Sequence, residues 1–239
     1  MSKAAELWSK MKKRPDPLTS IALTIPVFLA YHLGILLVES RSGVDLVSNT
    51  VFGVLKASAP VYVVGTLAIA LLVATITWIE ERRGATTSLP LGRVIVEGGA
   101  FAFVVLAMLG WATSRVLRST DPAKLEQLGV LDKLVLAAGT GFHEEFIFRA
   151  VLVTGVGFLL AKIFRMSKNA AIGVAIGFSS IAFSLVHNWG PTGEPFVADI
   201  AAYRVLIGGL FAGLYLARGF AVAVYAHVFF EVLVYFLYA

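Results

Sequence analysis

The sequence predicts an all-α, polytopic membrane bundle of about seven transmembrane helices, or eight if one ambiguous stretch also crosses. Three observations carry this expectation. Of the 239 residues, 58% are hydrophobic and only 15% are charged, whereas soluble domains hold roughly 45–50% apolar and about 25% charged residues. The mean hydropathy is +0.84. Apolar runs of about 20 residues, the length that crosses a bilayer as a helix, recur along the chain. The runs are continuous rather than alternating, which argues against a β-barrel. Disorder is excluded by the same composition, because it needs low hydrophobicity and high charge. The absence of cysteine excludes a disulfide scaffold, a thiolate zinc site and a cysteine nucleophile.

Seven stretches have the required length and composition: 18–38, 60–79, 94–114, 134–161, 170–186, 200–217 and 220–238. Charge or Gly/Pro punctuation bounds each of them. The first follows a basic segment, residues 1–17. Its apolar run is too long for a cleavable signal, and no small-residue cleavage site follows it. The stretch 44–57 carries Asp45, Asn49 and Lys56 and reads as an interfacial helix rather than an eighth span. No internal repeat or low-complexity tract is visible, so residues 1–239 are expected to form a single membrane domain.

The distribution of Lys and Arg sets the expected orientation. With the N-terminus in the cytoplasm and seven crossings, twelve basic residues fall on the inner side and six on the outer. The expected location is therefore a plasma membrane (a bacterial inner membrane), crossed several times, with the N-terminus inside.

An ionisable group within a span costs roughly 2.5–3.5 kcal/mol on insertion scales and points to function by default. The first span has His32 alone. The C-terminal half has many more: His143, Glu144, Glu145 and Arg149 in the fourth span, His187 at the end of the fifth, Arg204 in the sixth, and His227 and Glu231 in the seventh. Glu145 and Arg149 are four apart and share a helix face, so they can pair. Glu144 lies about 100° around an α-helix from Glu145 and is expected to point elsewhere, free for chemistry. His187 precedes a Gly190-Pro191 break and is either a helix-end cap or a site residue. His227 and Glu231 share a face. They form either a site, in which a carboxylate orients the imidazole, or a polar patch that fastens helices. Gly139 and Gly141 around the acidic pair, and the small-residue face Gly209 to Gly213, would let these helices approach closely.

Taken in order, Glu144-Glu145 with Arg149, Phe183 with His187, and His227 with Glu231 resemble the CPBP family of type II CAAX prenyl endopeptidases and bacterial Abi proteins. The resemblance covers residues 134–239, expected to be the motif-bearing core. It implies an intramembrane endopeptidase in which Glu144 activates a water, His187 assists it and His227 helps stabilise the oxyanion. Glu145 and Arg149 support the site. Glu231 departs from the family pattern, which has Asn or Asp there. An amide can donate a hydrogen bond to an oxyanion, whereas a carboxylate can do so only when protonated. Otherwise Glu231 orients His227, or joins the two histidines and Glu144 as a zinc ligand. The metal-free reading is preferred, because there is no His-Glu-x-x-His motif.

No cofactor is therefore expected, and the expected partners are the lipid bilayer and a membrane-anchored protein or peptide substrate. No nucleotide-binding motif or basic groove with stacking aromatics is present, so nucleic acid is not an expected partner. Two other classes compete: a non-catalytic, Abi-like immunity or scaffold protein, and a proton-coupled transporter. Transporters commonly carry internal repeats, which this chain lacks.

Overall fold

The computed structural model describes residues 14–38, 45, 48, 58–84, 90–119, 127–189 and 193–237. Among them every regular element is helical. Two short helices open the described chain, α1 (Pro17–Leu23) and α2 (Ile25–Gly34). They are bent by 41° to one another. Thr24 ends α1, and Pro26 sits in the first turn of α2; proline has no N–H for an i→i−4 bond and its ring crowds the preceding turn. Two long helices follow, α3 (Ala59–Arg82) and α4 (Leu91–Ser119).

The chain then runs through α5 (Val130–Glu144), a π-helical segment (Glu145–Val153) and α6 (Thr154–Lys162), with helical backbone angles at both junctions. The bundle is completed by α7 (Lys168–Val186), α8 (Ala198–Arg218) and α9 (Phe220–Leu237).

Five helices are long and apolar enough to cross a membrane (α3, the 91–110 part of α4, α7, α8 and α9), and α1 with α2 makes a sixth if the bent pair is one span. The chain is a multi-pass membrane protein, and among the described residues five or six spans meet the length and composition of a crossing helix rather than the expected seven. The stretch 134–161 is missing from the count because the change of helical type at Glu145 divides it into shorter pieces. The expected interfacial helix at 44–57 lies outside the described residues except for Asp45 and Ser48. Both are fully buried, which is not how an interfacial polar face behaves.

Burial separates the helices into two kinds. Of the most apolar window, 61% is buried in α9 but only 17% in α3. Val61, Val64 and Leu71 of α3 stay exposed, as side chains facing lipid would. By contrast α9 packs on α1, α4, α5, α8 and the π segment. A helix enclosed on all sides must be apolar all round, and Phe220 to His227 of α9 are all buried. The third span holds an ionisable group that the expectations above leave out. Glu97 of α4 receives Arg218 at 2.7 Å and Arg93 at 2.8 Å, which ties the end of α8 to α4.

Glycine sets the distance between the polar helices. A Cβ on Gly141 would come within 2.8 Å of the Val228 backbone nitrogen, and one on Gly139 would strike the Tyr31 ring at 2.2 Å. These contacts bear out the expected role of the two glycines. The expected Gly209–Gly213 face does not: the Gly213 position opens on space, and it is Gly208 that meets the Ser180 Cα, at 3.1 Å. The face that packs on α7 is thus one residue earlier than the small-x-x-x-small pattern indicates.

Candidate active site

The close contact at Gly141 brings α9 against the junction of α5 and the π segment, so His227 faces Glu144 and Glu145. A π-helix makes its hydrogen bonds five residues apart and is wider than an α-helix. The junction itself keeps α-helical backbone angles at both glutamates, and Glu144 and Glu145 address opposite nitrogens of one imidazole. The Nδ1–H of His227 donates to Glu145 Oε1 at 2.8 Å. Its Nε2 lies 3.6 Å from Glu144 Oε2 and 3.7 Å from Glu231 Oε1. The ring is held flat against Phe211, with centroids 4.6 Å apart.

Behind the histidine, Glu145 Oε2 lies 3.4 Å from Arg149 Nε, so the expected pair is formed. Both side chains are completely buried. Arg149 also donates to the Gly208 carbonyl at 3.4 Å, and its guanidinium lies 4.8 Å from the Phe183 ring centroid. The widened helix has its own supports. Ser179 donates to the Phe148 carbonyl at 2.5 Å, and Thr154 is held by the Tyr215 hydroxyl at 2.7 Å.

His187 occupies the C-cap of α7. The cap reading holds, and the ring also faces the acidic pair. Its Nδ1–H donates to the Phe183 carbonyl at 2.8 Å, which caps the helix and turns Nε2 toward Glu144 Oε1, 4.0 Å away. The following loop is fixed by Asn188, which donates to the Glu194 carbonyl at 2.9 Å. Arg204, given no role by the sequence, binds Glu194 at 2.6 Å and holds the same loop.

Access divides the six residues. The side chains of His187, Glu231 and Glu144 are 27%, 17% and 7% exposed, whereas Glu145 and Arg149 are sealed at 0%. Glu144, Glu231 and His187 are thus the accessible groups of the cluster. Glu145 and Arg149 lie behind His227.

Residues 126–233 match the family model described as Type II CAAX prenyl endopeptidase Rce1-like. This stretch is similar to a CAAX-type intramembrane protease domain, and all six residues of the site fall within the match. No curated protein and no solved structure matches the chain.

Within the matched stretch, Glu145 holds Nδ1 of His227. Glu231 approaches the other nitrogen, beside Glu144, and Tyr235 one turn further lies within interaction range of it. Among the described residues no group of three or more His, Asp or Glu side chains is spaced to hold a metal ion.

A second polar cluster lies on the other side of Glu144, and the motifs do not announce it. His143 Nδ1–H donates to the Gly139 carbonyl at 2.9 Å, and Nε2 faces Asp45 at 3.5 Å. Tyr31 donates to Asp45 at 2.6 Å, and the Ser48 backbone N–H does so at 2.9 Å. His32 bonds the Tyr62 hydroxyl and packs edge-on to His143. Burial works to raise the Asp45 carboxyl, but the hydrogen bonds from Ser48 and Tyr31 and the facing His143 hold it below the usual carboxylate range. The one signal in the sequence was two histidines in apolar helices. Nothing in the chain between them says that they meet.

Proposed function

We propose that the chain is an intramembrane endopeptidase that hydrolyses a peptide bond near the membrane-anchored, C-terminal or lipidated tail of a protein. One observation carries this reading: Glu144 stands between two histidines, 4.0 Å from His187 and 3.6 Å from His227, with 7% of its side chain exposed. A separation of 4.0 Å is too long for a direct hydrogen bond and fits a bridging water.

In this mechanism the water between Glu144 and His187 attacks the scissile carbonyl carbon. Its proton passes to Glu144 as the C–O bond forms, and the carbonyl electron pair moves to oxygen. His227, carrying hydrogen on both nitrogens, donates from Nδ1 to Glu145 and from Nε2 to the oxyanion. Collapse of the tetrahedral intermediate breaks the C–N bond, and the proton on Glu144 goes to the leaving amine with His187 assisting. Glu145 and Arg149 keep the imidazole in register. Glu231 stands where an asparagine would donate to the same oxyanion, and supplies that hydrogen bond as a carboxylic acid.

With the N-terminus in the cytoplasm, the loop after His187 faces outward, and the substrate is the tail of an exported, membrane-anchored protein. Labelling of a Trp189→Cys variant in whole cells tests the orientation, since Trp189 is 83% exposed. Reaction with an impermeant outer reagent is expected, and protection from it reverses the assignment.

The activity is tested with the purified full chain in detergent and a panel of membrane-anchored C-terminal tail peptides, prenylated and unprenylated. Cleavage by the wild type, lost in Glu144→Gln and unaffected by a chelator, is the expected result. Undiminished cleavage by Glu144→Gln overturns the mechanism. Loss with the chelator reassigns His227 and Glu231 as metal ligands.

A further inference from the structure

A cavity of about 950 Å³ lies between the start of α1, the π segment with α6, the start of α7 and the end of α8. None of Glu144, His187, His227 and Glu231 lines it. Its volume is within the range of ligand pockets, about 300–1,000 Å³. Ala150 and Gly157 keep its floor low, and Phe146, Phe158 and Phe220 supply apolar walls.

The rim is of the opposite character. Arg14, Lys162 and Lys168 line it, and no acidic residue among the described residues does. Arg14 is anchored there, donating to the Leu216 carbonyl at 3.0 Å and lying 5.6 Å from the Tyr215 ring centroid. Lys162 and Lys168 are exposed and meet no carboxylate within ion-pair distance among the described residues. Three cations that meet no carboxylate within ion-pair distance among the described residues therefore stand over an apolar hollow. They sit at the helix ends that the distribution of basic residues places at the cytoplasmic surface. Basic pockets between spans on that side suit anionic lipid headgroups.

We propose that this groove binds an anionic glycerophospholipid of the surrounding bilayer. An acyl chain lies against Phe146, Phe158 and Phe220, and the phosphate is held by Arg14, Lys162 and Lys168. The charge of the rim selects the head, and the depth of the floor admits the tail. The site is independent of the peptidase chemistry, so it stands or falls apart from that reading.

The test is native mass spectrometry of the full chain in neutral detergent with equal amounts of phosphatidylglycerol and phosphatidylcholine. The wild type is expected to retain phosphatidylglycerol at least about tenfold better, as three desolvated charge contacts would allow. The combined Arg14→Gln, Lys162→Gln, Lys168→Gln variant should lose that preference. Gly157→Leu should lose both lipids. A Cβ at Gly157 meets only Ala175, at 3.7 Å, so this change fills the floor without breaking the bundle. Arg82→Gln with Arg83→Gln removes two cations of α3 outside the groove and should leave the preference intact.

Equal retention of both lipids by the wild type overturns the proposal. So does a loss of preference in the α3 variant as large as in the rim variant, which would mean diffuse attraction. Displacement of the lipid by an equal concentration of glycerol 1-phosphate also overturns it, since the rim would then be a site for free phosphate.

Discussion

His143 and Glu144 are neighbours in the chain, yet they belong to two polar clusters of opposite kind. His143 enters a closed group with Tyr31, His32, Asp45 and Tyr62, in which every member is buried. Glu144 enters an open one, in which His187 and Glu231 keep 27% and 17% of their side chains exposed. Both hold histidines facing a carboxylate. In the closed cluster the Asp45 oxygens already accept from Tyr31 and Ser48. In the open cluster Glu144 stands 3.6 and 4.0 Å from its histidines, longer than direct hydrogen bonds. Residue type does not separate a fastening from a site; saturation and access do.

The largest expected effect falls on the open cluster. Glu144→Gln should lower cleavage by about 10²–10⁴-fold, the usual contribution of a general base, while the unfolding temperature in detergent stays within a few degrees. Activity within about tenfold of wild type would erase the distinction between the two clusters.

Asp45→Ala is the mirror experiment. It strands Tyr31, Ser48 and His143 in an apolar interior and should cost about 3 kcal/mol of stability, the scale of a hydrogen bond to a charged group. It shows as a lower midpoint of thermal unfolding. The turnover of the protein that remains folded should change little. A turnover collapse at unchanged stability would place Asp45 in the catalytic machinery instead.

Gly141→Ala tests the contact that brings α9 against the junction of α5 and the π segment. Its Cβ would press on the Val228 backbone, and overpacking of this kind costs about 1–3 kcal/mol. Because α9 is pushed from Glu144, activity should fall with stability. The smallest effect is expected from Glu231→Gln. The amide can still donate to an oxyanion, so cleavage should stay within about tenfold of wild type. A far larger loss shows that Glu231 must be an acid.

The open cluster was largely legible in the sequence. Glu144, Glu145, Arg149, His187, His227 and Glu231 stand in hydrophobic spans where charge is costly, and the structure places all six together. Their mutual orientation was not legible. An α-helical wheel separates Glu144 from Glu145, and nothing in the wheel says that one imidazole, His227, stands between their carboxylates. The closed cluster was nearly invisible. Asp45 reads as a marker of an interfacial helix, because a lone carboxylate in a mixed stretch says nothing about a histidine almost a hundred residues away. Arg204 and Glu97 were missed as ion pairs for the same reason: their partners, Glu194 and Arg218, lie on other elements.

What the sequence alone determined is whatever depends on solvent and spacing. Apolar runs of bilayer length make this a helical membrane bundle, and isolated charges within them mark its site, because both follow from transfer energies acting on each segment separately. What only the tertiary structure decided is which charges meet. The close contact of Gly141 with Val228, the change of helical type at Glu145 and the burial of Asp45 are properties of packed helices. Packing depends on the shapes of neighbours that no single stretch of sequence contains.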